Sequence, residues 1–448
     1  MSDPTELGVA ALVAAYAAGR LDPVPVTDAY LARIARDDGT LRSYITVAAQ
    51  TARAAALASR GRWLEHRPLG LLDGIPIALK DNIDVAGMSC TAGTAAFRDR
   101  APDADAPVVE ILKRQGTVLL GKLNMHEGAL GATTDNPVYG RCMNPLRAGY
   151  TPGGSSGGSG AAVAARLCAA ALGTDTLGSV RVPAAYCGVF GFKPTNGAIR
   201  SDGVVPLSVT FDTVGPLARS VADIELVAHA LLEPPARNRA AQRELTSAPA
   251  LADLRFGVPL QLGEVDMEPA VRSAFARFLD ALRAAGAAVI PLDLSPWHPS
   301  MTRRAGLLIS EAEGHLYYAE QLGPGLPGLS ASFAAMLRYP AQARAARIVA
   351  AYALAEDVRN ACMRAFSVVD ALALPTAPQM SFPHEIAAPE NQADCTALAN
   401  FARGPAISLP FAADPLPIGV QPLAAPGGDH RLLSIAAAAD RLLAPGHF

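Results

Sequence analysis

Residues 151–160, TPGGSSGGSG, run directly into a stretch of small apolar residues, AAVAARLCAAAL (161–172), and then into a second glycine-containing turn, GTDTLGSVRVP (173–183). Taken alone, the Gly/Ser segment has the composition of a linker. Linkers, however, are rarely followed at once by a tightly apolar stretch and another glycine turn. Side chains this small are what two backbones need where they approach closely. The segment therefore predicts a packed loop followed by a small-residue helix over 161–172.

The flanking sequence reads as α/β. Its start is helical: Pro4 suits a first turn, LGVAALVAAYAAG stops at Gly19, and Asp28 to Arg36 has amphipathic spacing. From residue 69 short β-branched runs alternate with turns, IPIAL at 75–79 and TVLLG at 117–121, with a helical stretch near 106–115 between them. Beyond a polar, Ala-rich stretch at about 234–250, expected to be a surface connection, LRFGVPL, a helix at about 268–285 and AAVIPLDL repeat a strand, helix, strand order. VVDALALPTAP at 368–378 is a further buried strand. Half of the residues are apolar, enough for a large core.

The same composition removes several function classes. Lys and Arg number 38 against 41 Asp and Glu, with no block of five like charges, so neither nucleic acid nor an anionic membrane is an expected partner. The N-terminus MSDPTELG is acidic where a leader would be basic, and no apolar run reaches the roughly 18 residues of a membrane span. The expected location is cytoplasmic. Six cysteines lack a CxxC pair and eight histidines lack HExxH, so no metal is expected. The glycine loop lacks a GK[ST] ending, and no basic residue lies between 148 and 165, which argues against a phosphate loop.

Three separated segments carry the chemistry: GIPIALKDNIDVAG (74–87), TPGGSSGGSGAAVAA (151–165) and GTDTLGSVRVPAAYCGVFGFKPT (173–195). In type and order they resemble the amidase signature family, serine hydrolases built on a Ser-Ser-Lys triad. PIGVQPLAAPGGDHRLL (417–433) is similar to the family's C-terminal segment. The resemblance implies a single large α/β domain over 1–448, a mixed twisted β-sheet flanked by helices on both sides, with the signature core at about 70–215. It places the family's lysine on Lys80, its bridging serine on Ser155 and its nucleophile on Ser179.

The chemistry is sound apart from the family name. A serine hydroxyl needs a positioned base, and no histidine lies within forty residues of Ser179. Lys80 can serve if neutral, and burial at the end of IPIAL would disfavour its ammonium form. Backbone N–H groups of Thr176, Leu177, Gly178 and Ser179 form the expected oxyanion hole. The family's commonest GTDTGGS is here GTDTLGS, so a leucine stands where φ > 0 would strain it. Ser156, Asp175 and Arg181 read as supports, the last two best as an ion pair without substrate contact, although in some relatives the arginine binds a substrate carboxylate.

The implied function is hydrolysis of C–N bonds in small-molecule amides, extending to aryl carbamates (urethanes) and esters, through an acyl-enzyme and without a cofactor. The alternative is a non-catalytic or amidotransferase-type assembly subunit of the same fold. The corresponding chain of the tRNA-dependent amidotransferase usually has glutamine after the arginine of its GSIR segment, whereas Val182 stands here, which counts against that alternative. Loop 124–135, NMHEGALGATTD, is a candidate pocket wall through Met125, Gly128 and Ala129. Gly128 and Ala129 replace a frequent bulky aromatic, which would widen the entrance. Many relatives are homodimers, but no interface is legible in this chain.

Overall fold

A computed structural model describes residues 3–232 and 249–443. The connection expected at about 234–250 lies, except for its last two residues, outside them. In chain order the strands are β1 (Tyr44–Val47), β2 (Pro76–Lys80), β3 (Val118–Leu123), β4 (Asp135–Asn136), β5 (Gly140–Arg141), β6 (Ala170–Asp175), β7 (Phe190–Lys193), β8 (Thr213–Ala218), β9 (Arg255–Pro259), β10 (Ala288–Leu292), β11 (Ala371–Pro375), β12 (Ala406–Phe411) and β13 (Ile418–Leu423). β4 and β5 form a separate two-stranded ladder. The other eleven make one mixed sheet in the order β1-β3-β2-β6-β8-β7-β12-β13-β11-β9-β10.

Sequence dictates why the middle of this sheet is covered on both faces. All five residues of β2 and all six of β6 are buried, and both read as nearly continuous runs of small or apolar residues. β2 pairs in parallel with β3 on one side and β6 on the other. From β6 through β8, β7, β12, β13 and β11 every pairing is antiparallel, and β11, β9 and β10 are parallel again. One apolar cluster extends from Val9 to Leu443, so both halves of the chain share a core. The helices Val9–Ala17, Pro23–Leu41, Pro107–Arg114 and Pro269–Ala284 occur where the sequence places them.

The helix expected over 161–172 does not. The helix runs Gly157–Ala164, the chain turns with Arg166 at φ 59°, and Ala170 to Asp175 form β6. A wholly apolar run carries no period that separates a helix from a buried strand. The ladders with β2 and β8 decide the matter. The inference from small side chains does hold at Gly158, where an added Cβ would overlap the backbone of Asn124 and Ser43.

Candidate active site

Because β2 and β6 are parallel, their C-terminal ends open at the same edge of the sheet, and that edge collects the candidate residues. Lys80 is the last residue of β2, and Asp175 is the last of β6. Lys80 has no solvent exposure. Its Nζ lies 2.7 Å from Ser155 Oγ and donates to Thr174 Oγ1 at 2.7 Å, an oxygen that also accepts from Asn82 Nδ2 at 3.2 Å. Burial lowers the Lys80 pKa from 10.5 to about 7, against the opposing pull of the Asp212 and Asp175 carboxylates.

Ser155 is fully buried and follows a cis peptide bond from Gly154. Ser179 is partly exposed and lines a cavity that opens to solvent. The two serine loops are clamped side by side: the Ser156 N–H donates to the Ser179 carbonyl at 3.1 Å. Ser156 Oγ donates to the Thr174 carbonyl at 3.1 Å and accepts from the Thr174 N–H at 3.3 Å. Ser156 thus fastens the glycine loop to β6.

The loop that leaves β6 is wrapped around the Asp175 carboxylate. Gly178 N–H donates to Asp175 Oδ1 at 2.8 Å and Val180 N–H to Oδ2 at 3.1 Å. Gly178 is therefore corrected as an oxyanion donor, since its N–H points at Asp175. Among the described residues no hydrogen bond uses the N–H of Leu177 or Ser179, and both residues line the cavity together with Thr176. Leu177 is not among the residues with positive φ, so its side chain is unstrained. It packs beside Gly306 and also lines the cavity.

Arg181 answers the question of its role by its bonds. Nε and Nη2 donate to Asp175 at 3.0 and 2.9 Å, Nη1 to the Thr396 carbonyl and Gln421 Oε1 at 2.9 Å each, and Nη2 to Asn400 Oδ1 at 2.7 Å. All five donors are engaged inside the protein, which leaves none for a substrate carboxylate. Burial alone would raise the Asp175 pKa, but the Arg181 charge and the hydrogen bonds from Arg181 and Asn400 hold it well below the usual carboxylate range.

The cavity wall departs from expectation. Ala129 lines it, together with the apolar residues Leu130, Leu177, Val182, Leu207 and Leu307. Met125 is fully buried in a cluster that includes Phe97, Tyr318 and Phe333, and does not line the cavity. Gly128 does not widen the entrance either: an added Cβ would overlap the Phe333 ring, so an aromatic from a distant helix occupies the space the loop vacates. Ala129 sits at φ 63°, so a bulkier residue there would be strained for backbone reasons as well.

Sequence reasoning missed three residues at this edge. Asp212 accepts from Thr176 Oγ1 at 2.6 Å and from the Leu207 and Ser208 N–H groups at 2.8 and 3.0 Å, tying the loop after β6 to the cavity wall. Asn400 braces Asp175 from 225 positions away, with Nδ2 to Oδ1 at 2.9 Å. Arg303, 9% exposed, reaches the cavity from the helix Pro299–Leu322. Asp212 begins DTVGP near the end of the signature core and was within reach of a motif reading; Asn400 and Arg303 sit in helices that carry no motif.

Comparison with known proteins identifies the family. The chain is 34% identical to a glutamyl-tRNA(Gln) amidotransferase subunit from Chloroflexus aurantiacus, over 99% of its own length and 98% of the relative's. It superposes with a TM-score of 0.90 on a chain of a vestigial protein complex that reveals the evolutionary origins of an s-triazine catabolic enzyme, at 30% identity, with 97% of this chain and 98% of that chain covered. The native peptide amidase of Stenotrophomonas maltophilia gives a TM-score of 0.81 at 30% identity, with 98% and 97% covered. The Amidase family model matches residues 25–433. With most of its length accounted for, the chain belongs to the amidase family, the amidase signature enzymes that act on C–N bonds.

Proposed function

We propose that the chain cleaves the C–N bond of an amide through an acyl-enzyme on Ser179, with Ser155 and Lys80 as the proton relay. The observation that carries this reading is the pair Lys80 Nζ and Ser155 Oγ, 2.7 Å apart with no solvent exposure, beside a Ser179 that faces an open cavity. A neutral amine on Lys80 keeps one lone pair free to accept the Ser155 proton while it donates to Thr174 Oγ1. Ser155 then takes the proton of Ser179 as its oxygen attacks the carbonyl. The N–H groups of Thr176, Leu177 and Ser179 face the developing oxyanion. The proton returns through the same relay to the leaving nitrogen, and water releases the acid. No cofactor enters any step.

The relatives favour one setting among those the sequence admits. The matched curated relative is an amidotransferase subunit, and the s-triazine-related structure is also a protein complex. Both support a chain of the amidotransferase type working with partner chains more than a free-standing urethanase or esterase. Val182, the residue that counts against this setting, contributes only apolar wall to the cavity. With a net charge of −3, this chain would leave any RNA acceptor chiefly to its partners.

The test is hydrolysis of a panel of primary amides, an N-aryl carbamate and an aryl ester by wild type and Ser179→Ala, read as ammonia from the amides, arylamine from the carbamate and phenol from the ester, with fluorophosphonate labelling read by mass spectrometry. Amide turnover that falls at least about a thousandfold in Ser179→Ala, with the label on Ser179, is expected. Full activity in Ser179→Ala refutes the nucleophile. A preference for the carbamate or ester over every amide refutes the amide reading.

A further inference from the structure

The cavity that holds Ser179 is apolar along most of its wall, yet one guanidinium lines it. Arg303 is 9% exposed and comes from the buried face of the helix Pro299–Leu322. Its Nε donates to Asp394 Oδ1 at 2.6 Å, and Asp394 is itself only 5% exposed. Among the described residues, no hydrogen bond uses either Nη of Arg303. The other buried polar groups of the wall are already committed: Ser310 Oγ donates to the Gly306 carbonyl at 2.8 Å, and Gln392 donates to the Pro389 carbonyl and accepts from the Tyr186 hydroxyl. Glu390 lies at the rim, where water and salt screen it.

Arg303 lines the cavity and is held at its Nε by a buried carboxylate, which leaves its planar fork of Nη donors without a protein partner among the described residues. That fork is complementary to a carboxylate, which it can hold in a bidentate pair. Neither Nη is among the buried atoms without a partner, so cavity water reaches these donors, and a carboxylate would replace that water with a charge-assisted pair. Arg181, the arginine the sequence singles out for a substrate anion, is excluded because all five of its donors are used within the protein.

We propose that Arg303 is the specificity-determining residue of this site and that it selects amides carrying a free carboxylate, with Asp394 positioning its guanidinium. The inference rests on the reading of Ser179 as the reacting serine only in placing Arg303 within the substrate cavity. An aliphatic chain between amide and carboxylate would lie along Leu177, Leu207 and Leu307.

Two measurements test this with glutaramic acid and its uncharged counterpart valeramide. Affinity for each is measured calorimetrically on the Ser179→Ala protein, and kcat/KM for ammonia release is measured on the protein with Ser179 intact. Each is repeated with Arg303→Met and with Arg303→Met/Asp394→Asn, the latter relieving Asp394 of an unpaired buried charge should the single variant fail to fold. Glutaramic acid is expected to be preferred, and loss of Arg303 should erase about 10- to 100-fold of that preference, through KM, with valeramide little changed. Equal handling of the two compounds by unsubstituted Arg303, or parallel losses for both in the variants, overturns the proposal. If Ser179→Ala still turned over amide, the nucleophile assignment would fail, and the calorimetric preference would still decide the role of Arg303.

Discussion

A lysine carried to zero exposure destabilises the fold at the pH where it must work, and the size of that effect is measurable. Lys80 titrates near pH 7 in the folded protein because burial disfavours its charge, whereas in the unfolded chain it returns to about 10.5. Between those values the unfolded state binds more protons than the folded state, so stability rises with pH across the window from 7 to 10.5. At about 1.4 kcal/mol per pH unit the full span is roughly 5 kcal/mol, an upper bound that residual structure in the denatured chain reduces. Lys80→Met removes the titration but forfeits the hydrogen bonds at Ser155 and Thr174, about 1–3 kcal/mol. The variant, although inactive, is thus expected to be more stable than wild type at pH 7 by roughly 2–4 kcal/mol. The gap should close and then reverse as the pH approaches 10.5. Urea midpoints of the two proteins followed by circular dichroism from pH 6.5 to 10 report it, and taking the difference cancels groups common to both, such as Lys193, which burial also lowers to about 7. In wild type the same titration gives activity at pH 6 of about a tenth of its alkaline plateau. A stability gap that stayed flat with pH would mean that Lys80 keeps an ordinary pKa and cannot accept a proton at neutrality.

Asp212→Asn should move the acid limb of the activity profile to lower pH, because the carboxylate that holds the Lys80 pKa up is gone. It should also lower kcat, because the amide cannot accept from Thr176, Leu207 and Ser208 together; an unmoved midpoint would restrict Asp212 to a structural role. Gly128→Ala is expected to destabilise the fold by about 1–3 kcal/mol, since φ is 58° there and the new methyl meets Phe333. Part of that loss should return in Gly128→Ala/Phe333→Leu, and no loss by urea denaturation would refute the contact.

What could be read from sequence followed the reach of local chemistry. Lys80, Ser155 and Ser179 stand in separate motifs whose residue types suit the base, relay and nucleophile proposed for them, and the sheet brings their loops to one edge. Asp175 and Arg181 lie six positions apart, close enough for their pairing to be anticipated, and the structure closes it with two bonds. The failures share another cause. Gly128 suggests open space, but the ring of Phe333 enters from 205 positions along the chain, and nothing in loop 124–135 records it. Gly178 has the composition of an oxyanion donor, yet its N–H is oriented by the carboxylate three residues earlier.

The placement of charge around the sheet edge gives a physical reason for the division of labour among its cations. Arg181 is neutralised by Asp175 and saturated with hydrogen bonds, so it fixes the shape of the loop that carries Ser179 and adds little field to the cavity. Among the described residues Lys80 has no carboxylate at hydrogen-bond distance, only Ser155 and Thr174, so burial dominates and its proton becomes labile near neutrality. Among the described residues Arg303 is paired at Nε only, which holds its guanidinium and leaves its Nη donors without a protein partner beside the cavity. A guanidinium could not exchange roles with Lys80, because it stays protonated at any pH the fold survives and has no lone pair to accept from Ser155. Lys80→Arg should therefore abolish turnover across the whole pH range, whereas a lysine at position 303 should retain part of the preference for an anionic amide.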